Sequence, residues 1–224
     1  MKKKFTTLSA LAATSLALPA AVTITGFQQE LTSEANDASI AGSVADNSLI
    51  GYAPLPADSV LATQGVASAN ATLDILPATT GLPAAENDPV DSFNLQWEAA
   101  VNAAVGSSAT FPNTANSTVA LSFNLVVLDN LAQVSFAQTG SDADFRLIVA
   151  GNTATNATQV IFLNPGSYLV QFSDGAGAST DQPNQEDSEQ KNFQNYSILV
   201  ESIPEPSSAL LGSLGLLALL RRRR

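Results

Sequence analysis

The chain has 224 residues, neither cysteine nor histidine, and a net charge of −11 from 20 acidic and nine basic residues. It therefore has no disulfide, no thiol nucleophile, no imidazole base and no ligand set for zinc or copper, which leaves oxygen ligation of Ca2+ or Mg2+ as the remaining metal chemistry. Seven of the nine basic residues lie at the two ends, so the interior sets Arg146 and Lys191 against all 20 acids and carries −18, a charge that repels nucleic acid and anionic lipid.

Residues 1–26 read as a signal peptide. Lys2, Lys3 and Lys4 form a positive start and residues 5 to 18 an apolar core too short to span a bilayer; small residues follow Pro19, with cleavage expected between Ala20 and Gly26. Sec export and signal peptidase are the implied partners. Residues 27–90 are rich in Ala, Ser, Thr, Asn and Asp and are punctuated by prolines at 54, 56, 77, 83 and 89. They read as a partly irregular segment with about two short strands, or alternatively as extra strands of the domain that follows.

Residues 91–203 form the expected domain. "DSFNLQWEAAVNAAV", residues 91 to 105, fits a short leading helix, with Phe93, Trp97, Ala100, Val101 and Ala104 on one face. Trp97 reads as a core anchor more readily than as a sugar-stacking platform. From Thr118 the period changes to two. "TVALSFNLVVL", "AQVSFAQ", "ADFRLIVA", "TQVIFLN", "SYLVQFS" and "NYSILVES" are six candidate strands, separated by turn-like stretches that include "DGAGASTDQPNQEDSEQKN". Alternation puts Tyr168, Val170 and Phe172 on one face, and likewise Tyr196, Ile198 and Val200. The expected fold is mainly β, an antiparallel β-sandwich.

Asp142 and Asp144 flank Ala143 on one face of a strand entrance, and Asp174 follows "VQFS". Together they are the candidate Ca2+ ligands; the alternative is a set of solvated turn acids, because a Ca2+ site needs six or more oxygens. No cofactor is otherwise expected. Asn70, Asn116, Asn156 and Asn195 each open an N-x-S/T triplet, in keeping with a surface of Asn, Ser and Thr suited to hydrated polysaccharide. Catalysis is not expected: glycoside hydrolysis by a carboxylate pair is the one route open without Cys or His, and no such pair stands out.

Thr118 to Ser202 resembles the bacterial pre-peptidase C-terminal domain, a jelly-roll-like sandwich of secreted proteins. "SDADFRLIV", "LNPGSYLVQF" and "NYSILVES" look like its acidic D-x-D strand, its G-x-Y strand and its final Tyr-led strand. The resemblance implies a jelly-roll topology, and some members of that family bind Ca2+ or extracellular matrix polymers.

Residues 204–224 close the chain. Ala209 to Leu220 are twelve uncharged residues, about 18 Å of helix against a hydrocarbon core of about 30 Å, and Arg221, Arg222, Arg223 and Arg224 hold the end on the cytoplasmic side. That is a short, marginal membrane anchor. Pro204, Glu205 and Pro206, then a short apolar helix, then a basic cluster, resemble the PEP-CTERM sorting signal of Gram-negative bacteria. The resemblance implies an exosortase, a membrane cysteine protease, as the partner that cleaves near the tripeptide; an ordinary C-terminal anchor is the alternative. The expected protein is exported, transiently membrane-anchored, and then structural or adhesive at the cell surface or in the extracellular matrix, where it associates with exopolysaccharide. A Ca2+-dependent carbohydrate-binding module and a small secreted hydrolase are the alternatives.

Overall fold

The computed structural model describes residues 22–52, 58–140 and 146–203, and these form twelve β-strands and no helix. The strands are β1 (Val22–Asn36), β2 (Val44–Gly51), β3 (Asp58–Gln64), β4 (Ala67–Ile75), β5 (Ser92–Val105), β6 (Asn113–Val127), β7 (Leu131–Gly140), β8 (Ile148–Val149), β9 (Asn152–Thr153), β10 (Gln159–Leu163), β11 (Gly166–Thr180) and β12 (Ser188–Ile203). They make two antiparallel sheets, ordered β2-β1-β6-β11-β8-β9 and β10-β7-β12-β5-β4-β3. The sheets pack face to face as the expected sandwich. Residues 1–21, the C-terminal apolar segment, Asp142 and Asp144 lie outside the described residues; residues 22–26, expected as the end of the signal peptide, instead open β1, with Val22 and Ile24 in the core.

The long strands obey period two. On β6, Val119, Leu121, Phe123, Leu125 and Val127 all point into the sandwich, and on β12 so do Tyr196, Ile198 and Val200. The widest part of the core is aromatic. Trp97 stacks on Tyr196 with ring centroids 5.2 Å apart, and Phe172 sits 4.6 Å from Tyr196 and 5.6 Å from Trp97. Trp97 is fully buried, so its ring is not a sugar platform.

Residues 91–105 do not form the expected helix; they form β5, hydrogen-bonded to β4 on one side and β12 on the other. Alanine at four positions of this strand lets the segment satisfy either period. Leu95 separates the readings. The helical stripe leaves it out, whereas period two gathers Phe93, Leu95, Trp97, Val101 and Val105 on one buried face. Ladder bonds on both edges and this burial override helix propensity. Of the two readings of segment 27–90, the structure has the second: it supplies β2, β3, β4 and most of β1 to the same two sheets as the strands that follow. In β1 a bulge at Gly26, with φ of +61°, sets two residues against Phe123 and shifts the strand's parity. Ile24 and Phe27 therefore both face inward, and Phe27 stacks on Phe123.

Away from the aromatic centre the interior is lined by alanines: Ala67, Ala69 and Ala71 on β4, Ala99 and Ala103 on β5, Ala176 and Ala178 on β11. Small side chains allow close approach, and side chains bridge the layers there. Ser117 of the first sheet donates to the carbonyl of Asn102 in the second at 3.0 Å, and Asn192 donates to Gly175 O at 2.9 Å. This explains why "DGAGAST", read as turn, continues β11 to Thr180: the glycines alternate with inward-facing alanines, and only residues 181–187 make the turn.

The two poles differ. At one, β1, β5 and β11 begin and β6, β10 and β12 end; Val22 pairs with Val127 and Ile203 with Leu131. At the other, Asp37 ties the end of β1 to the β3–β4 turn. Its Oδ1 accepts from Ser39 N and Oγ at 2.8 and 2.6 Å, and its Oδ2 accepts from Val66 N at 3.0 Å.

Candidate functional site

The last strand hands the chain to the sorting tripeptide. β12 lies inside its sheet, paired with β5 and β7, and its final residues remain bound: Ser202 N donates to Asp91 O at 3.0 Å and Ile203 pairs with Leu131. The strand ends at the residue before Pro204, whose ring nitrogen has no proton to give a ladder. The tripeptide thus follows a folded strand without a spacer. Pro204, Glu205, Pro206 and Arg221 to Arg224 themselves lie outside the described residues.

The outer face of the second sheet carries a shallow groove of about 220 Å3 between β5, β12 and β7. The registers Gln96–Ser197–Ala137 and Glu98–Asn195–Thr139 set two rows of side chains across it, with the Glu98 carboxylate beside the lining at the β5 edge and Leu76 forming one wall. Leu76 is held there by its amide, which donates to Gln96 O at 2.9 Å. The lining is neutral hydrogen-bonding groups, both donors and acceptors. Asn70 and Asn116 also point outward from their strands, and Asn156 is exposed in a loop, so all four triplet asparagines lie on outer surfaces.

Asp174, placed by the sequence reading on a loop, stands within β11 and is 2% exposed between the sheets, where Asn192 Nδ2 donates to its Oδ1 at 3.2 Å. Among the described residues no three carboxylates gather in a way that would hold a metal ion. One acidic pair was missed by sequence reasoning: Asp74 of β4 and Glu98 of β5 are direct cross-strand neighbours on the outer face. The β4–β5 register brings them together, and that register is visible only once residues 91–105 are a strand. Like charges so placed repel.

Residues 202–224 match the model of the PEP-CTERM protein-sorting motif. No curated protein and no solved structure matches the chain, so the resemblance of the body to the pre-peptidase domain stays a likeness of short motifs. The motif begins two residues inside β12, at the junction just described. It implies export, C-terminal membrane anchoring before cleavage, and an exosortase as the processing partner.

Proposed function

We propose that this exosortase-sorted, exported protein delivers a non-enzymatic β-sandwich to the cell surface or extracellular matrix, where the sandwich binds exopolysaccharide in a structural or adhesive role. The observation that carries the reading is the groove over β5, β12 and β7. Its Gln96, Thr139, Asn195 and Ser197 offer amide and hydroxyl groups to sugar hydroxyls, and Ala137 leaves room for a flat chain to lie across the sheet. The strongly acidic body favours neutral over anionic polymers. The proposed role has no catalytic step: the nearest carboxylates, Asp74 and Glu98, are adjacent to each other on β4 and β5 at the groove's edge, whereas glycoside hydrolysis needs two carboxylates flanking the bond.

Affinity electrophoresis of the processed protein through gels holding neutral or uronate polysaccharides, with and without EDTA, tests this. Retardation by a neutral polymer, insensitive to EDTA and weakened by Asn195→Ala, is the expected result. Retardation abolished by EDTA would point instead to the Ca2+-dependent module, and release of reducing sugar to a hydrolase.

A further inference from the structure

We infer that the pole at which β12 ends is a membrane-contacting surface, and that its exposed apolar side chains rest in the interface of a zwitterionic bilayer while the protein is anchored. Two features place the bilayer at this pole. Val22 and Ile203, the two ends of the folded body, both lie there, paired with Val127 and Leu131 on either side of one three-residue link. The apolar stretch Ala209 to Leu220 begins only six residues beyond Ile203, so even a fully extended connection holds the pole within about 20 Å of it.

The surface presented is the kind an interface accepts. Leu128 on the β6–β7 link and Leu131 at the start of β7 are 40% and 36% exposed, and Phe162, near the end of β10, is 57% exposed. The opposite pole carries the acidic turn with Asp181, Glu186 and Asp187. Asp91, Asp129 and Glu201 at the near pole disfavour anionic headgroups, which is why the partner is a zwitterionic surface. Three apolar side chains alone bind a membrane weakly, but the tether raises their effective concentration so that weak contact suffices. Cleavage of the tail then releases both holds together.

Because the chain has no cysteine, single labels report unambiguously. Full-length variants Leu131→Cys, Phe162→Cys, Gln182→Cys and Ser208→Cys, each carrying an environment-sensitive fluorophore, are reconstituted in phosphatidylethanolamine–phosphatidylcholine vesicles containing a headgroup-depth nitroxide lipid. Labels at 131 and 162 are expected to shift to the blue and to be quenched about twofold or more beyond the label at 182, less so when phosphatidylglycerol is added. Quenching at 208 with none at 131 and 162 overturns the inference alone. Absence of quenching at every position overturns it together with the anchor on which it rests. A shift at 131 or 162 that grows with protein concentration without lipid assigns the face to a second copy and also overturns it.

Discussion

The carboxylate of Asp37 fills the space that a side chain on Gly65 would need. Gly65 turns between β3 and β4 with φ of +55°, and a Cβ there would fall inside the Asp37 carboxyl group, itself fixed by Ser39 and Val66. Gly65→Ala is expected to cost more than about 1 kcal/mol, from the backbone conformation and the collision together. Urea unfolding measures it. Adding Asp37→Ala should return part of the loss, giving a double-mutant cycle that is less than additive.

The same carboxyl gives a pH dependence. Hydrogen bonds from the Ser39 hydroxyl, then from the Ser39 and Val66 amides, hold Asp37 below the usual value of 3.8. A depressed folded-state pKa contributes stability that is present above 3.8 and lost as pH falls through the lower folded value. Asp37→Asn is therefore expected to be less stable near neutrality and to lose less on acidification below about pH 4. Melting temperatures across that range decide it; parallel curves would count against it.

Phe172 lies against both Trp97 and Tyr196 at the centre of the sandwich. Phe172→Ala is expected to cost about 3–5 kcal/mol. Asp187→Ala, on the exposed turn, should cost under about 0.5 kcal/mol beyond its one bond to Ser107 N. The fluorescence of Trp97, the single tryptophan, reports both unfolding transitions.

The strand-to-motif junction makes a prediction for processing. A protease needs extended chain on both sides of the bond it cuts, and β12 stays paired through Ile203. Inserting Gly-Ser-Gly-Ser between Ile203 and Pro204 is expected to raise the fraction of cleaved protein at early times, read by intact mass. Unchanged processing would mean that the end of β12 does not limit access.

The tail arginines are expected to hold the C-terminus cytoplasmic. Replacing Arg221 to Arg224 with Ser should release more unprocessed protein past the membrane, and fractionation would show unchanged retention if the charges do not set topology.

The fold was legible where large residues alternate. β6 announces itself because Val119, Leu121, Phe123, Leu125 and Val127 are unmistakable at period two, and β12 because of Tyr196, Ile198 and Val200. β4 is faint because three of its four inward positions, Ala67, Ala69 and Ala71, carry almost no hydrophobic signal, and only Leu73 does. β1 was hidden twice over. The Gly26 bulge breaks its parity, and Gln29 and Ser33 are buried at positions where apolar residues would be read. The sorting tripeptide was legible as a string of residues. The groove was not, because Gln96, Thr139, Asn195 and Ser197 come from three strands and meet only through register.

That β12 sits between two neighbours also determines how the body bears load. Tension applied through the tail pulls this strand along its own axis. The bonds from Ser188 to Glu201 on one side and from Gln194 to Ile203 on the other lie across that axis, so they resist in shear and must fail together. An edge strand pulled the same way would have a single ladder to resist with instead of two. A body loaded through its C-terminus is thus pulled against two ladders at once.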